Sequence, residues 1–229
     1  MKKIRLFLFA MLAVAFSSCY DETNEFAESM FTNEKISNAL KSCLKISKDT
    51  AVNKLCISDG FYENESYYIN LPQGLNQMAD TLAEYGDEDI IDSLVLKMNR
   101  TAETVGNKIS QQFNSTITAI SFSDPNEILN GSSISATSYL KLYKETALIS
   151  SLKTEIENTM NANGGKAYWE DAISTYYQRT SVPISYDLYR YMSEEIISAI
   201  FAEMEKEEDN IRTLPEHRVT TELEEVFGN

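Results

Sequence analysis

Histidine occurs once in the 229 residues of this chain, at His217. A Ser-His-Asp or Cys-His catalytic machine would have to use that one residue, which sits in a proline-containing turn rather than on a helix face. A zinc site normally draws on several His and Cys ligands, and the three scattered cysteines do not supply them. Neither a metal nor a cofactor is expected. Cations are scarce too: 20 Lys and Arg stand against 35 Asp and Glu, a net charge of −15. Nucleic-acid binding needs clustered Lys and Arg, so nucleic acid is not an expected partner. The same balance argues against a basic face for anionic lipid. Phosphate-cradling loops are missing, because Gly164-Gly165 lacks the lysine and serine spacing of a P-loop. No apolar run reaches the ~20 residues a transmembrane helix needs.

What is there begins with an address. Leu6 to Phe16 is apolar and uncharged and follows Lys2, Lys3 and Arg5. That is the layout of a signal peptide, here residues 1–18. Ser17-Ser18-Cys19 then puts small residues before a cysteine, the pattern of a lipoprotein signal. The Cys19 thiol would take a diacylglyceryl group and become the new N-terminus. Phe16 stands where Leu is usual, and cleavage after Ala13-Val14-Ala15 is the alternative. The implied partner is the membrane, through this N-terminal lipid anchor. The expected location is the cell envelope, at the outer membrane, periplasmic or surface-facing. Residues 19–33 read as an acidic tether short of structure. Loss of residues 1–18 takes the net charge from −15 to −18, which mainly favours solubility.

Residues 34–229 read as one helical domain, since no Pro/Gly/Ser-rich linker divides them. Apolar residues recur at helical spacing nearly throughout. Ile36, Leu40, Cys43, Leu44, Ser47, Ala51 and Leu55 share one face of a first helix ended by Asp59-Gly60. Residues 57–71 are irregular, and Pro72 suits the first turn of a second helix. A third helix from residue 87 carries Ile91, Leu94, Met98, Ala102 and Val105 and breaks at Gly106. Asp124-Pro125-Asn126-Glu127 is a capped helix start. Further helices run from Ser135 to Asn161, from Tyr168 to Val182-Pro183 and from Tyr186 to Arg212. A short last helix has Thr221 and Glu224 placed as a capping box. The expected fold class is all-α, a single bundle of about eight to ten helices after a cleaved signal peptide. Cys43 and Cys56 lie roughly 20 Å apart on a continuous helix, too far to bridge, so two separate and mostly buried thiols are expected.

Certain polar residues need a reason. Glu203 with Glu207, and Glu205 with Asp209, are one helical turn apart. Such pairs could hold Mg²⁺ or Ca²⁺, act as acid and base, or form a solvated acidic face. Arg212 can pair with Glu208 at i,i+4, and Arg218 lies just beyond. Asn99, Arg100 and Glu103 form another polar cluster, in which Arg100 and Glu103 lie nearly opposite the core face of the third helix, on a stripe with Leu96. If that helix is central, they require partners, and the expectation is one polar network joining them to Glu207, Glu208 or Arg212. It could be structural or a ligand site. The 13 tyrosines cluster, as in Tyr67-Tyr68, Tyr139 with Tyr143, and Tyr176-Tyr177. They could line a groove, but adjacent residues point about 100° apart on a helix, so one of each adjacent pair belongs to the core.

From residue 36 onward the chain resembles the bacterial family known as domain of unknown function 4197. The matching pieces fall in order: Asp59-Gly60-Phe61; Leu71-Pro72; Met98-Asn99-Arg100 with Ala102-Glu103; Asp124 with Ile128-Leu129 and Gly131; Ala136-Thr137 with Tyr139; Asp187-Leu188 with Tyr191; Glu207-Glu208 with Ile211-Arg212; Pro215 with Arg218; Thr220; and Val226-Phe227-Gly228. Two alanines usually follow Asn-Arg in the family, where this chain has Thr101-Ala102. A Met-Thr pair commonly precedes the capped Asp, where this chain has Ser121-Phe122-Ser123. The resemblance implies an exported all-α protein and carries no activity with it. The expected function is non-catalytic binding or assembly in the envelope, with an unknown envelope protein or small ligand as partner. A small-molecule or glycan-binding module with an aromatic and carboxylate-lined pocket is the alternative, and an enzyme using carboxylates is third.

Overall fold

The computed structural model describes residues 22–228, with side chains from residue 32. Cys19 and the signal segment lie outside the described residues. Among the described residues nine α-helices follow one another: α1 Glu22–Leu55, α2 Asn76–Glu84, α3 Glu88–Thr104, α4 Gly106–Ala119, α5 Pro125–Leu129, α6 Ser135–Ala162, α7 Gly165–Thr180, α8 Leu188–Thr213 and α9 Thr221–Phe227. The described chain is all-α and contains no strand. Short 3-10 turns occupy Gln73–Leu75 and Pro215–His217.

α8 lies along both α1 and α6, and α4 packs on the same two helices. α3 and α7 touch α6 and each other, and α2 packs on α7 and α3. α5 and α9 pack on α1, where Asn126 Nδ2 donates to Asn33 Oδ1 at 2.5 Å and Lys35 pairs with Glu225 at 2.5 Å. The apolar stripes read from the sequence are the buried faces. Leu40, Leu44, Ala51 and Leu55 of α1, Leu94, Met98 and Ala102 of α3, and Ile196, Ile200 and Met204 of α8 are all fully buried. Each such Leu, Ile or Met contributes about 1.5–3 kcal/mol. Phe113 and Phe201 meet inside with centroids 5.4 Å apart. Trp169 and Tyr176 face the core while Tyr168 and Tyr177 are exposed, the division expected of adjacent aromatics. Tyr139 and Tyr143 are different: neither is buried.

Several boundaries move. α1 begins at Glu22, inside the segment read as a tether, and ends at Leu55 rather than at Asp59-Gly60. Gly60 instead folds back on the helix end, where a Cβ would stand 2.2 Å from the Leu55 carbonyl oxygen. Pro72 precedes the 3-10 turn rather than starting α2. The last long helix starts at Leu188, with Asp187 Oδ1 accepting from Arg190 N at 3.1 Å. The cap of α9 is Thr220, whose hydroxyl accepts from Leu223 N, and not the Thr221–Glu224 box. Asp124 caps α5 as expected, accepting from Glu127 N at 3.0 Å. α3 and α4 do break at Gly106, whose α-carbon sits against Cys56: an added Cβ would lie 2.5 Å from the Cys56 Cβ.

Candidate functional site

Residues 57–71 carry no helix; Asn64 N pairs with Phe61 O and Tyr68 N with Asn64 O inside the segment, and the N–H groups of residues 61, 62 and 69 need partners from elsewhere. α3 supplies them. Asn99 is fully buried; its Nδ2 donates to the Ile69 carbonyl at 2.9 Å and its Oδ1 accepts from the Ile69 N–H at 2.9 Å. Nδ2 also donates to Val95 O at 2.9 Å. One turn on, Glu103 Oε1 accepts from Tyr62 N at 3.0 Å and Phe61 N at 3.3 Å. Its other oxygen takes Arg100 Nη1 at 2.7 Å. The same Arg100 nitrogen is 2.7 Å from Asp59, and the guanidinium lies 4.7 Å over the Tyr62 ring. Asp59 has φ +64°, a left-handed conformation that Asp tolerates better than most residues. Asn99, Arg100 and Glu103 are thus a clamp on one loop.

The loop also reaches α8. Tyr67 donates its hydroxyl to Glu203 Oε1 at 2.6 Å. Lys206 donates to the same oxygen at 2.7 Å, and Lys54 of α1 to Oε2 at 2.7 Å. Burial pushes the Glu203 carboxyl up, but hydrogen bonds from Lys206, Lys54 and Tyr67 outweigh it and bring the pKa down to about 2. Tyr67 moves the other way, raised by burial and by its bond to Glu203. Beyond Ile69, the Tyr191 hydroxyl holds the Asn70 carbonyl at 3.0 Å.

A second set lies further along α8. Glu208, fully buried, accepts from Ala136 N at 2.9 Å and Thr137 N at 2.6 Å, in the first turn of α6. Arg212 pairs with Glu208 at 2.9 Å and donates to Leu129 O at 2.7 Å and Ile128 O at 3.2 Å, at the end of α5. The carboxylate meets a helix N-terminus and the guanidinium meets helix-end carbonyls, the arrangement favoured by the helix dipole. Arg218 caps α8 itself, donating to Ile211 O at 3.0 Å and Arg212 O at 2.9 Å. Glu207 faces His217 Nδ1 at 3.0 Å.

The single network expected from the sequence therefore divides in two. No hydrogen bond or ion pair among the described residues joins Asn99, Arg100 or Glu103 to Glu207, Glu208 or Arg212. The first set holds the backbone of residues 61, 62 and 69, and the second holds the start of α6 and the end of α5. Glu203 and Glu207, one turn apart, do not share a ligand either, since each has its own cationic or imidazole partner. Among the described residues no group of three or more His, Cys, Asp and Glu is placed to hold a metal. Sequence reasoning named Tyr67 only in an aromatic cluster and Asp59 only as a helix end, and it missed Lys54 and Lys206. It also missed Lys48, whose fully buried amine bonds Ser110 Oγ at 2.8 Å and pairs with Asp49. Only the Glu203–Lys206 spacing of three residues signalled any of these.

Among the described residues Cys43 and Cys56 are free thiols. Burial, then the charge of Glu208, pushes Cys43 up, and burial with Glu103 pushes Cys56 up to about 12. Neither is activated as a nucleophile, which requires a lowered pKa. Outside the clamp the loop forms an open hollow of about 380 Å³ lined by Tyr62, Glu63, Asn64, Glu65, Tyr68 and Asn70. Tyr62 and Tyr68 are 6.0 Å apart with rings inclined at 47°.

A family model described as "Protein of unknown function (DUF4197)" matches residues 30–228, which takes in both polar sets and every helix from α2 to α9. No curated protein and no solved structure gives a match.

Proposed function

The chain belongs to the DUF4197 family, and from that premise we propose that it is an exported, lipid-anchored protein of the cell envelope that acts by binding or assembly rather than by catalysis. One observation carries the reading. Side chains that could do chemistry, Asn99, Glu103, Glu203 and Glu208, are buried and engaged with the protein's own backbone and cations. Their work is to hold an irregular loop rigid and to close helix ends. A loop fixed from behind and exposed in front is the form recognition surfaces take. Cys19, behind its signal peptide, supplies the anchor.

The direct test is crosslinking of the intact lipoprotein in its own cells, with probes on Glu63 and Glu65. A discrete crosslinked species supports the reading. A chain that stays uncrosslinked from these sites while released to the soluble fraction overturns it.

The hollow favours a second reading, a small-molecule or glycan-binding module. Tyrosine rings offer apolar area with wet hydroxyls, and Asn64, Asn70, Glu63 and Glu65 offer polar partners around Tyr62 and Tyr68. A thermal-shift screen with metals, sugars and small acids separates the readings, since only a bound ligand stabilises the fold.

A further inference from the structure

The hollow on the loop combines aromatic rings with carboxylates. Tyr62 and Tyr68 stand 6.0 Å apart, and Glu63 and Glu65 lie on the chain between them. Asn64, between the two glutamates, is locked by its own side chain: Nδ2 donates to Gly60 O at 3.1 Å and Oδ1 accepts from Ser66 N at 3.1 Å. α3 runs behind. Its Glu103 holds residues 61 and 62, and its Asn99 holds residue 69. Asp92, seven residues before Asn99, falls on the same side of that helix. Its charge reaches Tyr68, whose hydroxyl is raised by burial, then by Tyr62 and Asp92.

One cation of the chain shows what these rings accept. The Arg100 guanidinium lies 4.7 Å from the centre of the Tyr62 ring, where the ring quadrupole attracts positive charge. That guanidinium is already matched by Glu103 and Asp59, each at 2.7 Å. Lys54 and Lys206, the other cations on the loop, are held by Glu203. Among the described residues no cation lies over Tyr68 or pairs with Glu63, Glu65 or Asp92.

Charge and rings together select the occupant. A hard metal ion needs about six or more oxygens converging on one point, and no group of three His, Cys, Asp and Glu among the described residues is so placed. A neutral sugar would use the rings and leave the carboxylates unanswered. An acid would be repelled. An ammonium or guanidinium on an alkyl stem uses both, with the stem along a ring and the charge between ring face and carboxylates. The hollow of about 380 Å³ has room for such a group, and the locked Asn64 spares part of the ordering that binding would otherwise cost. We infer that the hollow between Tyr62 and Tyr68 binds an organic cation, an ammonium or guanidinium carried on an apolar stem. This rests on the reading of the hollow as a ligand site and names the class of ligand it takes.

The test follows the backbone amide resonances of Glu63, Glu65 and Tyr68 by NMR, in the full chain held in neutral-detergent micelles. The probes are the N-acetyl methylamides of lysine and arginine, free butylammonium, the uncharged N-acetyl-norleucine methylamide, and glucose. The expected result is a saturable shift with the three cations and none with the norleucine compound or glucose. Tyr68→Leu weakens cation binding about two- to fivefold, the worth of one exposed cation–π contact, while Tyr68→Phe keeps it. Glu63→Gln with Glu65→Gln weakens it several-fold. The control is Glu222→Gln with Glu224→Gln on α9, the same change of charge roughly 30 Å back along α1, where Lys35 meets Glu225. Tighter binding of the lysine compound than of butylammonium assigns the cation to a protein side chain, and the reverse assigns it to a free amine; both uphold the inference. Equal weakening in the control pair overturns it, by making the attraction general to an acidic chain. Shifts with glucose or the norleucine compound as large as those with the cations overturn the class of ligand and keep the hollow as a site. No shift with any probe overturns both.

Discussion

Asn99 answers both backbone groups of Ile69, its amide nitrogen 2.9 Å from the carbonyl and its oxygen 2.9 Å from the N–H. A neighbouring strand would make the same pair of bonds. One side chain therefore substitutes for a sheet partner and lets an extended segment lie inside an all-helical protein.

Replacing Asn99 by Ala strands a buried donor and a buried acceptor on Ile69. Each stranded group costs about 1–3 kcal/mol, so Asn99→Ala lowers unfolding free energy by about 2–6 kcal/mol. Urea unfolding measures the loss. Hydrogen exchange at Ile69 rises more than at Leu94 in the same variant, and an unchanged midpoint would refute the clamp.

Arg212→Ala leaves Glu208 buried without its cation, a defect of about 3–5 kcal/mol. Combining Arg212→Met with Glu208→Gln removes both charges at once. The double variant is more stable than Arg212→Ala alone, a non-additivity expected of paired groups. Thermal unfolding of the three proteins decides it.

Glu203 titrates at about 2 in the folded chain, against its ordinary 4.5. The unfolded chain binds the proton more readily in that window. Glu203 therefore adds stability that is complete above pH 4.5 and is lost as the pH falls through 2. The lysines are about half exposed, which screens the gain to on the order of 1–2 kcal/mol. Glu203→Gln differs most from the native chain near neutral pH, and the two converge in acid. A constant gap from pH 7 to 3 contradicts this assignment.

Raised thiols react slowly. Cys43 and Cys56 are expected to resist Ellman's reagent at pH 8 in the folded chain and to react fully in urea, with Cys56 the faster of the two in the folded state because it is less buried. Fast reaction of Cys43 without denaturant runs against the buried site.

Helices were legible because their core faces are aliphatic and regular: Leu94, Met98 and Ala102 announce α3 by spacing alone. Asn99 and Glu103 could be singled out as polar residues in need of partners. Their partners could not, because those are the N–H and C=O groups of residues 61, 62 and 69, and every residue has such groups. Glu208 posed the same problem with Ala136 and Thr137. Lys48 was hidden for another reason: its partner Ser110 is 62 positions away, and a lysine on a helix reads as solvated. The α9 cap was missed by one residue because Thr221, three before Glu224, completes the box pattern, whereas backbone conformation makes Thr220, three before Leu223, the cap.

Glu208 comes 72 residues after the helix start it completes. A chain emerging N-terminus first has α5 and α6 in hand long before it has the two side chains that close their ends. The longest seams of the bundle, α8 along α1 and along α6, form only with residues that come after both partners in the chain. A chain cut short before residue 208 would leave the N–H groups of Ala136 and Thr137 without their carboxylate.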